Sequence, residues 1–495
     1  MSPTASNARW MAPGFGAARW PGSLALAALA CTAGWSGRAA EAPRGLEQRP
    51  AFSAFLEDRM PEAAPTLSSS WSAVVAFPNL TFLNPVGILP VPGTSNLAVY
   101  EREGRIYQIA SDPDTAMKTL VLDLTGQCQG WDDSGLLGIA YHPGFETNRH
   151  LFVYYTFVAP GTVLGSADGR PPIATPNRDR LVRYTLDAQG VAVPGSAVIL
   201  IDQVSDTVWH NGGGMFFHPL DGFLYLTNGD DHVVAHNQRI HHSLHSGVLR
   251  IDVDRRGGTI SHPIPRQPLP AGSVTANYYI PNDNPFVGQP GVLEEFFAIG
   301  LRSPHRMTVD PPTGRIFIGD VGGALREELN IIEPNDPPGL NFQWNRIEGL
   351  QGDLVPPYIG VNRRPVLSYP RTDGAAIIGG YVYRGQEFAA ELGGRYIFGD
   401  NIANVIWALD ESSTPPRKVF LCNLPRGPGP SAGNDYVGLS GFGLDHNNEL
   451  YLCQLSSTAG QIYKLRRGGT PAPALPPLLS LTGAFTDLAT LTPAP

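Results

Sequence analysis

The chain has 495 residues, 42% of them hydrophobic, which is enough for a large core and by length alone for two or three domains. Its formal net charge is −9 and lysine occurs only at positions 118, 418 and 464, which excludes a basic face for nucleic acid. The 56 glycines and 47 prolines are scattered between short apolar runs. Many such runs end in Gly, Asp or Asn, a pattern that favours an all-β chain with many turns.

Residues 1–40 have the features of a targeting segment. Arg9 and Arg19 precede the apolar run 24–30, and small residues follow. The run is too short to span a bilayer, and no other stretch is long enough. We therefore expect a secreted or periplasmic protein with no membrane span. Cys31 directly follows the run and leaves lipidation open as an alternative.

Residues 41–70 are rich in Ala, Pro and Glu and are interpreted as a linker. From 71 to 467 a unit recurs that consists of a turn, an aliphatic or aromatic strand, and then Gly or Asp. Its copies include residues 96–100 with 104–108, 151–155, 222–227, 314–320, 394–400 and 449–452. About six such units predict a six-bladed β-propeller. The Pro/Ala-rich tail, 468–495, is expected to lack regular structure.

The stretch 206–231 combines groups that suit proton transfer. His210 precedes three glycines, whose backbone is able to lie close to a bound group, and Asp230 and Asp231 follow a predicted strand. The same residues also suit a plain turn with a surface histidine, and either aspartate suits the role of partner to His210.

Two late cysteines, Cys422 and Cys453, lie in strand-like runs. In an exported protein a disulfide between them is a reasonable expectation, with Cys128 then unpaired.

Six segments in a fixed order carry a family resemblance. They are residues 130–143, His210 with its glycines, 228–231, 246–254, 298–305 and 379–385. From about residue 84 to 465 the chain resembles the glucose/sorbosone dehydrogenase family. These are soluble aldose dehydrogenases that use pyrroloquinoline quinone (PQQ) and calcium on a six-bladed propeller. The same propeller occurs in hedgehog-interacting-like proteins, which bind partners, and the form of residues 132–138 leans toward that branch.

The resemblance implies three catalytic residues. His210 matches the base that takes the sugar hydroxyl proton, and Asp230 matches the acid that holds this histidine. Arg302 matches the cation that stabilises charge on the quinone.

The resemblance also implies the ligands of the cofactors. Asp133, Arg302, Ser303 and Arg384 match positions near PQQ, and the carbonyls of Gly322 and Gly323 match calcium ligands. Ser303 and Asp133 depart from the family, which commonly has Asn and Gln at these positions.

The resemblance does not assign a role to several other charged or metal-binding residue types. The family has a basic residue shortly after Asp400 in some members, and this chain does not; Arg364 and Arg371 are candidates to replace it. Histidines crowd one loop, at 232, 236, 241, 242 and 245. They suggest a metal site, but the family has no ligands there, which favours a loop between blades.

The expected function is oxidation of a sugar or polyol with PQQ and calcium, electrons then passing to an external acceptor. The alternative is a non-catalytic, hedgehog-interacting-like propeller that binds a protein or glycan. Metal-dependent lactone hydrolysis is a third hypothesis, which lacks family motifs.

Overall fold

The structure is a computed structural model that describes residues 70–128, 133–158, 177–205, 207–264, 277–350, 352, 359–425, 437–468, 485–487 and 492–493. The predicted targeting segment, Cys31 and all of the predicted linker except Ser70 lie outside the described residues. So do residues 130–132 of the 130–143 segment.

Glycine turns followed by apolar runs form strands, as the repeated pattern predicts. Gly314 and Gly394 precede two of these runs and have φ of 71° and 79°, in the left-handed region that glycine adopts without strain. The runs behind them become strands Arg315–Asp320 and Tyr396–Asp400. All five residues of Tyr396–Asp400 are buried, so this sheet is covered on both faces.

The strands of the first half have the following bounds: β1 (Trp71–Val75), β2 (Pro85–Pro90), β3 (Asn96–Glu101), β4 (Arg105–Ala110), β5 (Lys118–Asp123), β6 (Leu136–Tyr141), β7 (His150–Phe157), β8 (Asn177–Thr185), β9 (Val198–Ser205), β10 (Met215–Phe217), β11 (Leu224–Asn228), β12 (Gly247–Ile251), β13 (Ser261–Pro263), β14 (Tyr279–Pro281) and β15 (Phe296–Ile299).

Those of the second half are β16 (Arg306–Asp310), β17 (Arg315–Asp320), β18 (Arg326–Ile332), β19 (Leu340–Asn341), β20 (Val361–Asn362), β21 (Leu367–Pro370), β22 (Ile377–Val382), β23 (Tyr396–Asp400), β24 (Val405–Asp410), β25 (Arg417–Asn423), β26 (Gly438–Leu444), β27 (Leu450–Leu455), β28 (Gln461–Arg467), β29 (Phe485–Asp487) and β30 (Thr492–Pro493).

Helical segments in the described residues are short. They are α1 (Phe145–Asn148), α2 (Ala389–Leu392) and a 3-10 helix (Val234–His236). None of the described helices has the length and apolar character needed to cross a membrane. The fold class is all-β, as predicted.

Antiparallel sets of four strands recur along the chain. Three sheets have the orders β6-β7-β8-β9, β16-β17-β18-β21 and β22-β23-β24-β25. A six-stranded sheet, β10-β11-β12-β15-β19-β20, begins with four antiparallel strands and ends with two parallel additions. An eight-stranded sheet, β1-β28-β27-β26-β2-β3-β4-β5, has two halves that meet at a single pair, Ile88 and Gly443. In the same sheet, the last long strand, β28, pairs with the first strand, β1.

Hydrophobic side chains fill the space between successive sheets. Phe317 on β17 stacks on Tyr396 on β23, with ring centroids 4.3 Å apart. Phe152 and Leu181 of the β6–β9 sheet share a cluster with Leu224 of the next sheet. Each fully buried side chain of this size contributes about 1.5–3 kcal/mol, so the packing of sheet faces stabilises the arrangement.

The first strands of the four-stranded sets approach one another. A buried guanidinium, that of Arg306 on β16, donates to the carbonyl of Leu137 on β6 (3.1 Å) and to that of Val86 on β2 (3.0 Å). Gly138 on β6 lies so close to β10 that an added Cβ would be 2.3 Å from the carbonyl oxygen of Gly213. One arginine thus links the first strands of three different sets.

The expected disulfide is wrong. Cys422 and Cys453 are both free and buried. Cys422 is on the outer strand β25, and Cys453 is on β27, packed in a different hydrophobic cluster. Burial raises the pKa of both thiols to about 12, which makes them inert.

The tail differs from its prediction in one respect. Its composition predicts no regular structure, yet β29 and β30 pair as a two-stranded antiparallel sheet.

Candidate functional site

A histidine and an aspartate meet where β11 ends and β10 begins. His210 has φ of 62°, a left-handed value that is uncommon for a residue with a side chain. Gly229 follows β11, and an added Cβ there would be 2.0 Å from the carbonyl oxygen of His210. The glycine thus allows the two loops to touch, which brings Asp230 to the imidazole.

The two side chains form a short hydrogen bond. Nδ1 of His210 lies 2.6 Å from Oδ1 of Asp230, and both side chains are buried. The other carboxylate oxygen, Oδ2, accepts from Nε1 of Trp344 (2.7 Å) and Nδ2 of Asn237 (3.3 Å). Because an ionised carboxylate only accepts, Nδ1 of His210 carries the proton and Nε2 of the neutral ring has the lone pair.

The surroundings keep this carboxylate ionised. Burial raises the pKa of Asp230, but the hydrogen bond from His210, the charge that this ring has once it is protonated, the Trp344 indole and the charge of Arg302 together lower it below its usual value. The predicted choice of Asp230 over Asp231 as the partner of His210 agrees with this placement.

A second imidazole lies next to the pair. The His232 ring is 4.8 Å from the His210 ring, and its backbone N–H donates to Asp230 Oδ1 (2.9 Å). Burial and the charges of His210 and Arg302 lower the pKa of His232. His232 therefore takes up a proton less readily than a free imidazole does.

Arg302 lies on the other side of the carboxylate. Its carbonyl accepts the Asp230 N–H (2.8 Å). Its Nη1 donates to the carbonyl of Val321 (3.0 Å), and its guanidinium carbon is 5.4 Å from the centre of the Trp344 ring. A guanidinium is thus held next to the His210–Asp230 pair.

Ser303 and Asp133 support this group through backbone hydrogen bonds. The N–H groups of Arg302 and Ser303 donate to the Asp320 carboxylate at 3.0 and 2.7 Å. Ser303 is buried. The Asp133 carboxylate accepts the backbone N–H of His210 at 3.1 Å. Both predicted residues therefore lie at the site.

Trp344 is a site residue that the sequence reasoning missed. It follows β19 in the run 341–345, Asn-Phe-Gln-Trp-Asn. A tryptophan among polar residues at a strand end was the only signal. Gly323 lies against this ring, since an added Cβ would be 2.9 Å from Trp344.

The predicted calcium ligand Gly322 faces a cation. Its carbonyl is 3.3 Å from Nη1 of Arg371, and the same Nη1 is 2.6 Å from the carboxylate of Glu327. Burial raises the pKa of Glu327 to about 7, against the lowering effects of the Ile377 N–H and of Arg371. A guanidinium beside this carbonyl repels a dication, so the predicted calcium site does not fit the residues around Gly322.

Arg384 lies away from the site. Its Nε and Nη2 bind the carboxylate of Asp310 at 2.9 and 2.6 Å. Asp310 is the last residue of β16, whose first residue, Arg306, is near Ser303. Four residue steps of strand, about 13 Å, separate the two ends. The sequence assigned Arg384 to the PQQ site, but the direction of β22 places this arginine at the opposite end of the sheets from Arg302.

The two alternative arginines take different positions. Arg371 is next to Gly322, as described above. Arg364 donates to the carbonyls of Leu350 and Gly352 at 2.7 and 3.1 Å on the surface. Arg371 is therefore the nearer of the two to the group around Arg302.

Comparisons with known proteins identify the family. Residues 82–263 and 273–409 match the family model described as Glucose / Sorbosone dehydrogenase, and the chain belongs to that family. The resemblance carried by the sequence motifs is thereby confirmed.

Two curated relatives of the chain have names that differ from the description of the family. HIPL2 protein of Arabidopsis thaliana is 27% identical over an alignment of 411 residues, and the match covers 70% of this chain and 55% of the relative. Human Hedgehog-interacting protein is 27% identical over an alignment of 404 residues, and the match covers 77% of this chain and 51% of the relative. The chain spans about half the length of these curated relatives.

A solved structure has the same fold. The PQQ-bound form of aldose sugar dehydrogenase from Streptomyces coelicolor matches with a TM-score of 0.53 and 21% identity. The match covers 81% of this chain and 99% of that chain.

Proposed function

We propose that the four-stranded sets form six blades of one β-propeller. The sets beginning with β2, β6, β10, β16, β22 and β26 supply the blades, and β1 completes the last one. Two observations support closure around one axis. Arg306 bridges β16, β6 and β2, and Ile88 on β2 pairs with Gly443 on β26.

For the activity, we propose oxidation of a sugar or polyol alcohol with PQQ as hydride acceptor. The observation that carries this proposal is the 2.6 Å hydrogen bond between His210 and Asp230. Family membership and the fold shared with a PQQ-bound aldose sugar dehydrogenase support it.

His210 acts as the base. Its Nδ1 is bound to Asp230, so Nε2 is the atom that takes the proton of the substrate hydroxyl. The imidazolium formed is then paired with a buried carboxylate, which stabilises the charge. A positioned base of this kind accelerates proton transfer by about 10²–10⁴-fold.

Arg302 and Trp344 hold the base and its surroundings. Trp344 fixes Oδ2 of Asp230, so that Oδ1 remains directed at His210. The guanidinium of Arg302 supplies positive charge where an anionic cofactor would bind. PQQ, when bound, accepts the hydride from the carbon that carries the hydroxyl.

The residues fit PQQ in part. The imidazole and the guanidinium of Arg302 suit a flat ring that bears carboxylates. Arg384 is at the other end of the sheets, and the Gly322 carbonyl is bound to Arg371. The electron acceptor that reoxidises the quinone is external, and the protein acts outside the cytoplasm.

Reconstitution tests this proposal. PQQ is titrated into the purified chain and binding is followed by the absorption of the quinone. Reduction of a dye acceptor is then measured with aldoses and polyols. We expect saturable binding and sugar-dependent reduction. Absence of binding at micromolar PQQ would contradict the proposal.

A second candidate function is binding of a protein or glycan without catalysis. The relatives named Hedgehog-interacting protein and HIPL2 favour it, as does the loss of Arg384 from the site. In that case the chain neither binds PQQ nor oxidises sugar. Arg302 and Trp344 would then form part of a surface that recognises the partner.

A further inference from the structure

Three ionisable side chains gather beside the His210–Asp230 pair. Asp231, His236 and His245 each place one ligand atom within 4.8 Å of the others. Asp231 and His245 are buried, and His236 is half-buried. Carboxylate oxygen and imidazole nitrogen are ligands that first-row transition dications prefer, whereas calcium prefers oxygen alone.

We propose that Asp231, His236 and His245 bind a first-row transition dication of the Zn²⁺ type. The ion would join the two ends of the loop 231–245, which connects β11 to β12. The site is independent of the proposed oxidation, because none of its ligands acts on the substrate.

The backbone separates the two neighbouring aspartates. Asp231 and His232 have φ of 55° and 53°, both left-handed. This turn directs the Asp230 carboxylate to His210 and the Asp231 carboxylate to β9 and the loop behind it. Such conformations cost on the order of 1–3 kcal/mol each and persist where the surroundings hold them.

Further hydrogen bonds orient two of the ligands. Oδ1 of Asp231 accepts from the Ser205 hydroxyl (2.9 Å) and from the backbone N–H of Thr207 (3.0 Å). Nε2 of His245 lies 3.3 Å from the carbonyl of Val204. A ring N–H donated to a carbonyl places the lone pair on Nδ1, which is the usual arrangement behind a metal-bound histidine.

His245 has a second polar partner on its other ring nitrogen. Its Nδ1 is 3.2 Å from the amide nitrogen of Gln203, which donates to the lone pair. The ion would take the place of this amide donor.

The surrounding charge favours a cation. Asp179 on β8 is buried, and its two oxygens have no hydrogen bond with regular geometry. Asp179 and Asp231 are close enough to interact electrostatically, so a dication bound at Asp231 would offset the repulsion between two buried acidic groups.

Little movement is needed to close the site. Ligands of a tetrahedral zinc are about 3.4 Å apart, so atoms within 4.8 Å must approach by up to about 1.4 Å. The His236 and His245 rings are stacked with centroids 4.5 Å apart. His236 ends a short 3-10 helix in the loop, so we expect His236 to move.

Cobalt titration tests the site. Chelator-treated full-length protein is titrated with Co²⁺, whose visible absorption reports protein ligands, and Zn²⁺ is then added as competitor. We expect one Co²⁺ per chain, displaced by Zn²⁺. His236→Ala should weaken binding by more than about 10-fold. The matched control is the double variant His241→Ala/His242→Ala, which removes two exposed imidazoles of the same loop and should bind as the wild type does.

Two results would overturn the proposal. One is the absence of saturable Co²⁺ binding by the wild-type chain. The other is equal loss of binding in the control and in His236→Ala, which would indicate adventitious binding by loop histidines. Circular dichroism checks the fold of each variant. If His236→Ala is misfolded, Asp231→Asn, which preserves shape, takes its place with the same expected loss.

Discussion

The two ends of the sheets use arginine and aspartate in different ways. At the far end, where β16 and β22 end, Arg384 forks onto Asp310 and joins two sheets. At the site end, where β11 and β17 end, Arg302 bonds to a main-chain carbonyl and lies over an indole. Asp230 there is bound to an imidazole rather than to an arginine.

Other residues at the far end follow the same rule. Arg315 binds the carboxylates of both Glu333 and Glu411. Arg250 binds those of Asp221 and Asp283. Paired charges of this kind stabilise the contacts between segments. At the site end, by contrast, an imidazole and a guanidinium lie next to each other, and among the described residues this guanidinium bonds to a main-chain carbonyl rather than to a carboxylate. The far end therefore uses its charged residues for stability, whereas those at the site end suit contact with a ligand.

The largest effect on stability is expected at the far end, from Arg250→Ala. The Arg250 side chain is 5% exposed, and its removal leaves two carboxylates without their cation. Because the Asp283 carboxylate is 72% exposed and is solvated when the arginine is removed, we expect a loss of about 1.5–3 kcal/mol in the free energy of unfolding, measured with urea. Arg417→Ala is the control, because Arg417 is 70% exposed and its ion pair contributes at most about 1 kcal/mol. Equal losses in both variants would contradict the account.

The affinity for PQQ should depend on the arginine at the site end and not on the arginine at the far end. Arg302→Ala should weaken PQQ binding by about 10- to 100-fold, the equivalent of one charge-assisted hydrogen bond. Arg384→Ala should leave it unchanged, because Arg384 is bound to Asp310. Both constants are obtained by titration of the absorption of the quinone. Weaker binding in Arg384→Ala alone would restore its predicted role as a cofactor ligand.

Thermal unfolding with added calcium shows whether the Gly322 carbonyl can bind this ion while Arg371 lies next to it. In the wild-type chain, calcium should not raise the melting temperature, because Arg371 already occupies the carbonyl. In Arg371→Ala, the carbonyl and the Glu327 carboxylate lose their cation, and calcium should raise the melting temperature by on the order of 2 °C. Differential scanning fluorimetry measures both. A saturable rise in the wild type would show that the calcium site is present after all.

The smallest effect concerns an imidazole on β13, away from the site. Burial lowers the pKa of His262, but hydrogen bonds to Glu294 and Asn282 raise it above its usual value. The pair therefore stabilises the fold below about pH 6.5, and this is lost as pH rises through the raised pKa. Relative to His262→Gln, the wild type should be more stable by at most about 1 kcal/mol at about pH 5.5 and equal at about pH 8.5. Urea unfolding at both values checks it. A difference that grows with pH would contradict the assignment.

Local pattern predicted the strands because each copy carries its own turn and apolar run. The run 314–320 became β17, and the run 394–400 became β23. The predicted pair His210 and Asp230 also came together, since both flank strands that are neighbours in one sheet.

Side-chain partners from distant strands could not be predicted in this way. Arg384 was assigned to the site by its motif, but the direction of β22 takes it to Asp310. Trp344 was missed because its contact with Asp230 spans 114 residues. Asp231, His236 and His245 come together because the backbone makes a left-handed turn at Asp231 and His232. A sequence does not reveal such a turn when the residues are not glycine.

The proposed mechanism requires the His210–Asp230 pair to remove the proton of the substrate. Stopped-flow reduction of bound PQQ by sugar is measured in the wild type and in His210→Ala. We expect the rate to fall on the order of 10²–10⁴-fold in His210→Ala while PQQ affinity is retained, and we expect His262→Gln to react as the wild type does. Reduction at the wild-type rate in His210→Ala would contradict this mechanism.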